Sequence, residues 1–366
     1  MARKIRVLIV DDSMMFRNTI SAALSVDSDF EVVGMAADPF EAKDRITELH
    51  PDVITLDVEM PKMNGIEFLK RLLPQYPIAA VVVTSSAVKA FDAISVGAVD
   101  LLNKPTRGGM PEFAEQLRAM VKSAATAKVI VPKNAAVPAV AASPAVAAKP
   151  AVHEKPPATS PKPIVSRISD KPIDMVKNAH TLIALGASTG GTEALAEVLT
   201  VLPADMPGIV VVQHMPAGFT KMYADRLNRQ CKMSAKEAED GDRVKQGQII
   251  IGAGDFHLRV EKDLRGYYVT CRRGEKISGH CPSVDAMFES VAKSCGANAI
   301  GAILTGMGAD GAQGLLQLRK AGGYTFGQDK ESCVVYGMPM VAFNNGAVCK
   351  QLPLQSIAAA IVDRLR

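Results

Sequence analysis

The sequence predicts an α/β protein with two doubly wound, parallel-sheet domains joined by a flexible linker. Three observations predict this fold. Short apolar runs alternate with helical segments over residues 1–123, the same alternation resumes at Thr181, and an alanine- and proline-rich stretch separates the two regions. Strands that alternate with helices form parallel sheets covered by helices on both faces. We therefore expect a first domain at 1–123, a linker at 124–178 and a second domain at 179–366.

The composition is that of a globular protein long enough for two domains. The chain has 366 residues, of which 48% are hydrophobic, and a net charge of +4, which is too modest to favour nucleic-acid binding. Its six cysteines form no C-x-x-C pair, which indicates free thiols of a reducing cytoplasm. We find neither a signal-peptide pattern nor the roughly 18 continuous apolar residues of a membrane helix, and so expect a cytoplasmic protein without membrane insertion.

Five strands, each followed by a helix, are predicted in the first domain. The predicted strands cover residues 5–10, 30–35, 52–56, 78–83 and 100–103, and the predicted helices cover 14–24, 41–49, 65–73, 91–96 and 111–123. The last helix has proline at its start, where the missing N–H costs nothing. In such a sheet, functional groups are expected at the carboxyl ends of the strands.

Polar side chains follow four of these strands directly. Asp11 and Asp12 come after the first strand, Asp57 after the third, Ser85 after the fourth and Lys104 after the fifth. Three carboxylates gathered at one edge repel each other and call for a hard cation such as Mg²⁺. The cation can bridge an aspartate to a phosphoryl donor, while the lysine and the hydroxyl contact the phosphoryl oxygens. The sequence therefore predicts a magnesium-dependent phosphoryl-transfer site.

On these residues, the first domain resembles a response-regulator receiver domain, which has a flavodoxin-like fold. The resemblance implies Asp57 as the phosphoacceptor, Asp11 and Asp12 with the backbone of Glu59 around Mg²⁺, Lys104 as the signalling lysine and Ser85 as the hydroxyl. The metal ligands would be Asp12, Asp57 and the backbone of Glu59. Thr84 remains an alternative for the hydroxyl, because the run Thr84-Ser85-Ser86 leaves the register open.

Residues 124–178 are rich in alanine, proline, lysine and valine. A segment of this composition cannot bury a hydrophobic core. We expect it to be an extended, partly polyproline linker.

The second domain opens on a strand, a glycine turn and a helix. An apolar run at 182–185 leads into Gly186-Ala-Ser-Thr-Gly-Gly191, and residues 192–202 follow with the pattern of an amphipathic helix. The spacing Gly186-x-Ser188-x-Gly190 matches a nucleophile elbow, in which glycines leave room for a strained turn. A phosphate-binding loop of a nucleotide-binding unit uses the same geometry. This stretch alone leaves a hydrolase and a nucleotide binder open.

Two later strands favour the hydrolase. His214 ends a predicted strand at 208–214, and Asp310 lies in the glycine-rich loop after a predicted strand at 299–305. A serine becomes a strong nucleophile when a base takes its proton, and the base needs a third group to orient it. Ser188, His214 and Asp310 supply these groups at converging strand ends. The nucleotide interpretation weakens, because Gln213-His214 stands where an acidic ribose partner is expected.

Three further polar residues compete for these roles. None of them follows a buried strand as closely, so we interpret His257, His280 and Asp285 as structural or substrate-site residues. The chain order Ser, His, Asp also differs from that of the α/β-hydrolases. A convergent triad on another fold is therefore expected.

From Thr181 onward, seven stretches closely resemble the catalytic domain of chemotaxis protein-glutamate methylesterases. They are Gly186-Ala-Ser-Thr-Gly-Gly-Thr192, Gln213-His-Met-Pro216, Glu237-Ala-Glu-Asp-Gly-Asp242, Pro282-Ser-Val-Asp285, Leu304-Thr-Gly-Met-Gly-Ala-Asp-Gly-Ala312, Gln328-Asp329 and Tyr336-Gly-Met-Pro339. The resemblance implies a hydrolase that demethylates glutamate γ-methyl esters, and deamidates specific glutamines, on the cytoplasmic helices of chemoreceptors. Ser188 would attack the carbonyl, His214 would transfer the proton and Asp310 would orient His214. Backbone N–H groups would hold the oxyanion, with Met307 a donor by family analogy and Thr189, at the helix start, in support.

The two resemblances together imply partners and regulation. Methyl-accepting chemoreceptors would be the substrate, a chemotaxis histidine kinase the phosphodonor, and membrane receptor arrays the place of association. Mg²⁺ would serve receiver phosphorylation, with no cofactor for the esterase reaction and no nucleic-acid partner. In this family the unphosphorylated receiver covers the active site. The alternatives are a response regulator whose second half is a non-catalytic binding module or binds DNA, although no helix-turn-helix pattern or basic stripe supports DNA binding.

Overall fold

The computed structural model describes residues 3–85, 87–105, 109–129, 173–174, 176 and 178–366, with the backbone alone at 87–90. The interior of the predicted linker, residues 130–172, lies outside the described residues. The described residues form a five-stranded sheet, a seven-stranded sheet and a two-stranded hairpin. No helix in this described part is both long and apolar enough to span a membrane.

The first domain is a parallel sheet in the order β2-β1-β3-β4-β5, which confirms the predicted doubly wound, flavodoxin-like fold. Its strands are β1 Ile5–Val10, β2 Phe30–Ala36, β3 Val53–Leu56, β4 Ala79–Thr84 and β5 Asp100–Asn103. Its helices are α1 Met14–Ser25, α2 Pro39–Leu49, α3 Gly65–Leu72, α4 Ala87–Ser95 and α5 Met110–Thr126. Every residue of β3 and β4 is buried, as expected of central strands with helices on both faces.

Capping side chains set several helix starts. Ser13 accepts a hydrogen bond from the Phe16 amide, and Asn64 accepts one from the Glu67 amide. Asp38 caps α2, which starts at Pro39, two residues before the predicted start. These short polar side chains satisfy N–H groups that have no partner inside the helix.

The second domain is a parallel sheet in the order β14-β13-β12-β6-β7-β9-β8, which confirms the second doubly wound domain. Its strands are β6 Leu182–Ala187, β7 Ile209–Gln213, β8 Ser234–Glu237, β9 Gln248–Ile251, β12 Ala299–Ile303, β13 Tyr324–Gln328 and β14 Lys350–Leu352. An antiparallel hairpin joins β10 His257–Asp263 to β11 Gly266–Arg272. The helices are α6 Gly191–Thr200, α7 Phe219–Gln230, α8 Val284–Cys295, α9 Ala312–Lys320, α10 Met338–Asn344 and α11 Leu354–Arg364.

Strand β6 lies between β12 and β7 at the centre of this sheet. At its carboxyl end the Ser188 amide donates to the Thr305 carbonyl at 3.0 Å. The His214 amide donates to the Ala187 carbonyl at 3.1 Å. The sheet itself therefore brings the residues after β6, β7 and β12 to one edge.

The first domain packs against this carboxyl edge of the second. The Phe91 ring lies parallel to Tyr223, with centroids 6.0 Å apart, and both belong to one continuous apolar cluster. At the end of α5, the Lys128 amide donates to the Val334 carbonyl at 2.9 Å. The described ends of the predicted linker are packed too: Ile173 is buried, and the Asn178 side chain donates to the Leu365 carbonyl at 2.6 Å.

Close packing requires glycine at the first position of α6. A Cβ on Gly191 would lie 2.6 Å from the Cβ of Ala187 and 2.1 Å from Oε1 of Gln213. We predict that Gly191→Ala lowers the free energy of unfolding by about 2 kcal/mol, because overpacking forces filled neighbours apart. Urea unfolding measures the change.

Gly252→Ala is the matched control for this prediction. Its new Cβ would meet its nearest heavy atom at 3.3 Å, so a smaller loss of stability is expected. Equal losses in the two variants would contradict the packing argument.

Candidate active site

A cavity of about 350 Å³ lies at the carboxyl edge of the second sheet and is lined by both domains. Ser188, Thr189, His214, His280 and Met307 line it from the second domain. The first domain contributes Asp100, Glu115, Gln116, Ala119 and Met120. Residues that follow three separate strands, Ser188, His214 and Met307, thus line one cavity, as the parallel sheet requires.

Ser188 lies in the tight turn between β6 and α6. Its carbonyl accepts a hydrogen bond from the Gln213 side chain at 2.9 Å. Gly306 approaches it so closely that a Cβ there would lie 2.7 Å from the Ser188 Cβ. The turn ends at Gly190, whose φ of +75° favours glycine. Ser188 is therefore fixed on the cavity wall beside the start of α6, where backbone N–H groups have no partner inside the helix.

His214 and Asp310 are in direct contact. The distance from His214 Nε2 to Asp310 Oδ2 is 2.7 Å, and both side chains are almost entirely buried. His214 Nδ1 is buried and has no hydrogen-bond partner among the described residues. Because Nε2 donates its proton to the carboxylate, Nδ1 is the nitrogen with a free lone pair. The pair can therefore act as an oriented base.

Asp310 receives its other hydrogen bonds from the start of α8. Its Oδ1 accepts from the Ser283 hydroxyl at 2.8 Å and from the Asp285 amide at 3.0 Å, while the Val284 amide donates to Oδ2 at 2.7 Å. Burial opposes ionisation of Asp310, but its contacts with His214, Asp285 and Ser283 outweigh burial and hold its pKa below the usual range. The carboxylate is ionised beside the imidazole, at the positive end of a helix.

The three competing residues have different positions. His257 is buried, with Nδ1 accepting from the Ser283 amide at 3.3 Å and Nε2 donating to the Glu275 carbonyl at 2.8 Å. Asp285 accepts from the Gly314 amide at 2.7 Å. His280 stacks on His214, with ring centroids 3.7 Å apart and planes 9° from parallel.

Sequence reasoning did not single out Ser283 or Gln213, although both hold the site together. Ser283 caps α8 by accepting a hydrogen bond from the Ala286 amide at 3.2 Å. Serine is one of the residues preferred directly before a helix, so this position carried a capping signal in the sequence. Gln213 ends β7 as a buried polar residue, and its side-chain amide donates to the carbonyls of Ser188 and His214.

The two residues predicted to support the oxyanion both line the cavity. Met307 is exposed, on the loop after β12. Thr189 is buried, and its hydroxyl donates to Asp100 Oδ2 at 2.7 Å while accepting from the Ser123 hydroxyl at 3.1 Å. Asp100 and Ser123 belong to the first domain, so that domain contacts the residue directly after Ser188.

A second polar cluster lies at the carboxyl edge of the first sheet. The carboxylates of Asp11, Asp12 and Asp57 offer oxygen atoms within 4.8 Å of one another. Lys104 Nζ lies 2.6 Å from Asp57 Oδ2 and 2.7 Å from Asp11 Oδ2. Burial raises the pKa of Asp11. Burial also opposes the charge on Lys104, yet the two carboxylates outweigh it and raise the lysine pKa. An oxygen-only donor set of this kind fits Mg²⁺.

The remaining predicted residues of this cluster surround Asp57. The Glu59 amide donates to Asp57 Oδ1 at 3.3 Å. Thr84 is the last residue of β4 and is fully buried, whereas Ser85 follows the strand and is exposed. The assignment of the hydroxyl to Ser85 stays a prediction, with Thr84 as its alternative.

The pKa of Asp310 leads to a prediction about stability. A carboxylate with a depressed pKa in the folded state stabilises the protein above its unfolded pKa of about 3.9, and this contribution is lost as pH falls through the folded pKa. Asp310→Asn should therefore lower the free energy of unfolding most at neutral pH. A loss of about 1–3 kcal/mol is expected there, because buried donors lose their charged acceptor. The loss should become progressively smaller below about pH 4. Urea unfolding of both proteins from pH 3 to 7 measures the difference.

Asp225→Asn, at an exposed position on α7, is the control and should shift stability little at any pH. The prediction would be contradicted if the difference in unfolding free energy between the wild type and Asp310→Asn grew as the pH fell.

Comparison with known proteins identifies both halves of the chain. The CheB methylesterase family model matches residues 183–361, and the response regulator receiver domain model matches residues 7–118. A protein-glutamate methylesterase/protein-glutamine glutaminase of Syntrophotalea carbinolica is 45% identical over 100% of this chain and 99% of that protein. One of Syntrophomonas wolfei is 45% identical over 98% of this chain and 97% of that protein. The crystal structure of the Thermotoga maritima CheB methylesterase catalytic domain is 38% identical, covers 50% of this chain and 98% of that chain, and has a TM-score of 0.49. The chain belongs to the CheB methylesterase family, with a receiver domain in front of the catalytic domain.

Proposed function

We propose that this chain is a phosphorylation-activated hydrolase that demethylates glutamate γ-methyl esters, and deamidates specific glutamines, on chemoreceptor cytoplasmic domains. The relatives named above are protein-glutamate methylesterase/protein-glutamine glutaminases, and this chain matches them over 97% or more of their length. The observation that carries the proposal is the contact between His214 and Asp310 in a cavity that Ser188 also lines. A nucleophile, a base and an orienting carboxylate at one place suit acyl transfer.

In the proposed reaction, Ser188 Oγ attacks the γ-carbonyl carbon of the substrate while His214 Nδ1 takes the hydroxyl proton. Asp310 stabilises the imidazolium that forms. The tetrahedral oxyanion is held by backbone N–H groups, for which Met307 and Thr189 are the candidates. His214 then protonates the leaving group, which departs as methanol from an ester or as ammonia from an amide.

The acyl-enzyme is hydrolysed by the same groups. His214 takes a proton from water, the resulting hydroxide attacks the acyl carbon, and the proton returns to Ser188 as the bond to its oxygen breaks. The product is a glutamate side chain in both reactions. Ser188, His214 and Asp310 thereby return to the protonation states in which the reaction began.

For the first domain, the proposal assigns phosphorylation to Asp57, with a chemotaxis histidine kinase as the phosphodonor. Asp12, Asp57 and the backbone carbonyl of Glu59 would hold Mg²⁺, with Asp11 beside them. When bound, the metal neutralises charge on the phosphoryl oxygens. Lys104 and Ser85 would contact those oxygens from the ends of β5 and β4.

Regulation by the first domain is proposed from its position over the cavity. Asp100 accepts the hydrogen bond from Thr189, next to Ser188, and Glu115 Oε2 lies 3.9 Å from Lys276 Nζ on the cavity wall. Asp100 starts β5, and Lys104 follows the end of the same strand. The proposal is that phosphorylation of Asp57 shifts the population toward arrangements in which a receptor helix reaches Ser188.

The proposed partners and location follow from this activity. Methyl-accepting chemoreceptors are the substrate, and the enzyme works in the cytoplasm at receptor arrays. The alternative, a response regulator with a non-catalytic binding module, has no need for an oriented base beside a serine. It is distinguished by the first experiment below.

We predict that Ser188→Ala lowers methanol release by at least about a thousandfold, because removing a nucleophile of this type abolishes acyl transfer. The assay uses methyl-labelled receptor membranes with Mg²⁺ and a small-molecule phosphodonor. Ser234→Ala, at the exposed start of β8, is the control and should behave like the wild type. Unchanged release by Ser188→Ala, or no release by the wild type, would overturn the esterase proposal.

The proposed regulation predicts opposite effects of two aspartates. Asp100→Ala should raise release without phosphodonor by up to about tenfold, since it removes a hydrogen bond between the domains and such a bond contributes about 0.5–1.5 kcal/mol. Asp57→Asn should keep the basal rate and lose the response to phosphodonor. Both rates are measured in the same assay.

Asp92→Ala is the control for Asp100→Ala, because Asp92 is an exposed residue of α4. A basal rate in Asp100→Ala no higher than in this control would count against inhibition by the domain contact. A retained phosphodonor response in Asp57→Asn would place the phosphoryl group elsewhere.

A further inference from the structure

His280 forms an unusually close contact with the proposed base. Its imidazole lies face to face with that of His214, with centroids 3.7 Å apart and planes within 9° of parallel. Both rings line the cavity that contains Ser188. The mechanism above gives His280 no role, yet the ring covers one whole face of the group that moves the proton.

A tight turn presents the His280 ring. Ile277 and His280 each donate an amide hydrogen bond to the carbonyl of the other, both at 3.0 Å. Ser278 and Gly279 between them have φ values of +53° and +84°. Two consecutive residues with positive φ are the signature of a type I′ turn. Ser278 accepts this conformation and donates its hydroxyl to Asp285 Oδ2 at 3.0 Å.

These contacts belong to a series of hydrogen bonds that connects the turn to His214. The Asp285 amide donates to Asp310 Oδ1 at 3.0 Å, and Asp310 Oδ2 holds His214 Nε2 at 2.7 Å. The turn that carries His280 is therefore tied, through Asp285, to the same carboxylate that holds His214. His257 strengthens the tie by bonding the Glu275 carbonyl before the turn and the Ser283 amide after it.

The charge state of His280 suits a stacked neighbour. Burial and the adjacent His214 lower its pKa to about 4, and Lys276 acts in the same direction, while Asp310 opposes them. At neutral pH the ring is an uncharged aromatic surface and does not compete with His214 for the proton.

We propose that His280 is a positioning residue, whose ring fixes the plane of the His214 imidazole so that Nδ1 faces the Ser188 hydroxyl. The inference rests on the proposed acyl-transfer function. The single hydrogen bond from Nε2 to Asp310 does not by itself fix the rotation of the His214 ring about its Cβ–Cγ bond. A flat surface against its face removes this rotation. Small errors in the orientation of a base cost large factors in rate.

The test compares His280→Ala with His280→Phe in the full-length protein, with Mg²⁺ and phosphodonor, on methyl-labelled receptor membranes. His280→Ala should lower kcat about tenfold with KM within about twofold, as expected for losing one aromatic contact. His280→Phe keeps a flat ring without ring nitrogens and should restore kcat to within about threefold of the wild type.

Other outcomes would overturn the inference. A phenylalanine variant as slow as the alanine variant would mean that a ring nitrogen of His280 takes part in the chemistry. A rise in KM with unchanged kcat would make His280 a substrate contact. Wild-type kinetics in His280→Ala would leave the stacking without a role.

Two further arms keep the test decisive. Ser278→Ala retains both rings but cuts the tie to Asp285, and should lower kcat about two- to threefold, with no additional loss when combined with His280→Ala. This variant also serves if His280→Ala does not fold. Wild type and Ser188→Ala in parallel test the esterase itself, so a failed esterase proposal is distinguished from a failed role for His280.

Discussion

The geometry of the cavity depends on the buried carboxylate of Asp310. Each of its two oxygens accepts two hydrogen bonds. The four donors are His214, the Ser283 hydroxyl and the amides of Val284 and Asp285. A buried charge is tolerated only when it is paired and fully hydrogen-bonded. The donors come from the start of α8 and from the end of β7. The carboxylate therefore fixes a helix and a strand relative to each other, and the imidazole takes its orientation from both.

The same demand for pairing explains how the two domains meet. The Asp100 carboxyl group lies in the contact between them, where removal from water raises its pKa and the Thr189 hydroxyl opposes that rise. An apolar contact of Phe91 with Tyr223 also joins the two domains. The interface thus combines a hydrophobic patch with the hydrogen bonds of Thr189 to Asp100 and Ser123, directly beside the turn that carries Ser188. Separating the domains would break the hydrogen bond from Thr189 to Asp100 and return the carboxyl group to water.

The strand-end residues could be predicted because parallel strands place their carboxyl ends at one edge, whatever their separation in the chain. Ser188, His214 and Asp310 follow buried apolar runs, and each run is visible in the sequence. His280 follows no strand and reaches the site on a turn, so no periodicity marks its position. The contact of Asp100 with Thr189 joins two domains, and local pattern carries no information about such docking. The predicted starts of α1 and α3 match the structure, whereas α2 begins two residues before its predicted start, at the residue after its cap Asp38.

The packed ends of the linker have a consequence for how the domains separate. Lys128 is bonded to Val334 and Ile173 is buried, so residues 130–172 join two points that are already fixed near the second domain. Because the domains belong to one chain, each meets the other at an effective concentration that the connection sets. The cost of closing such a loop also grows only slowly with its length. Dilution therefore does not separate the receiver from the catalytic domain, and the balance between them is a property of each molecule, independent of how much protein the cell contains.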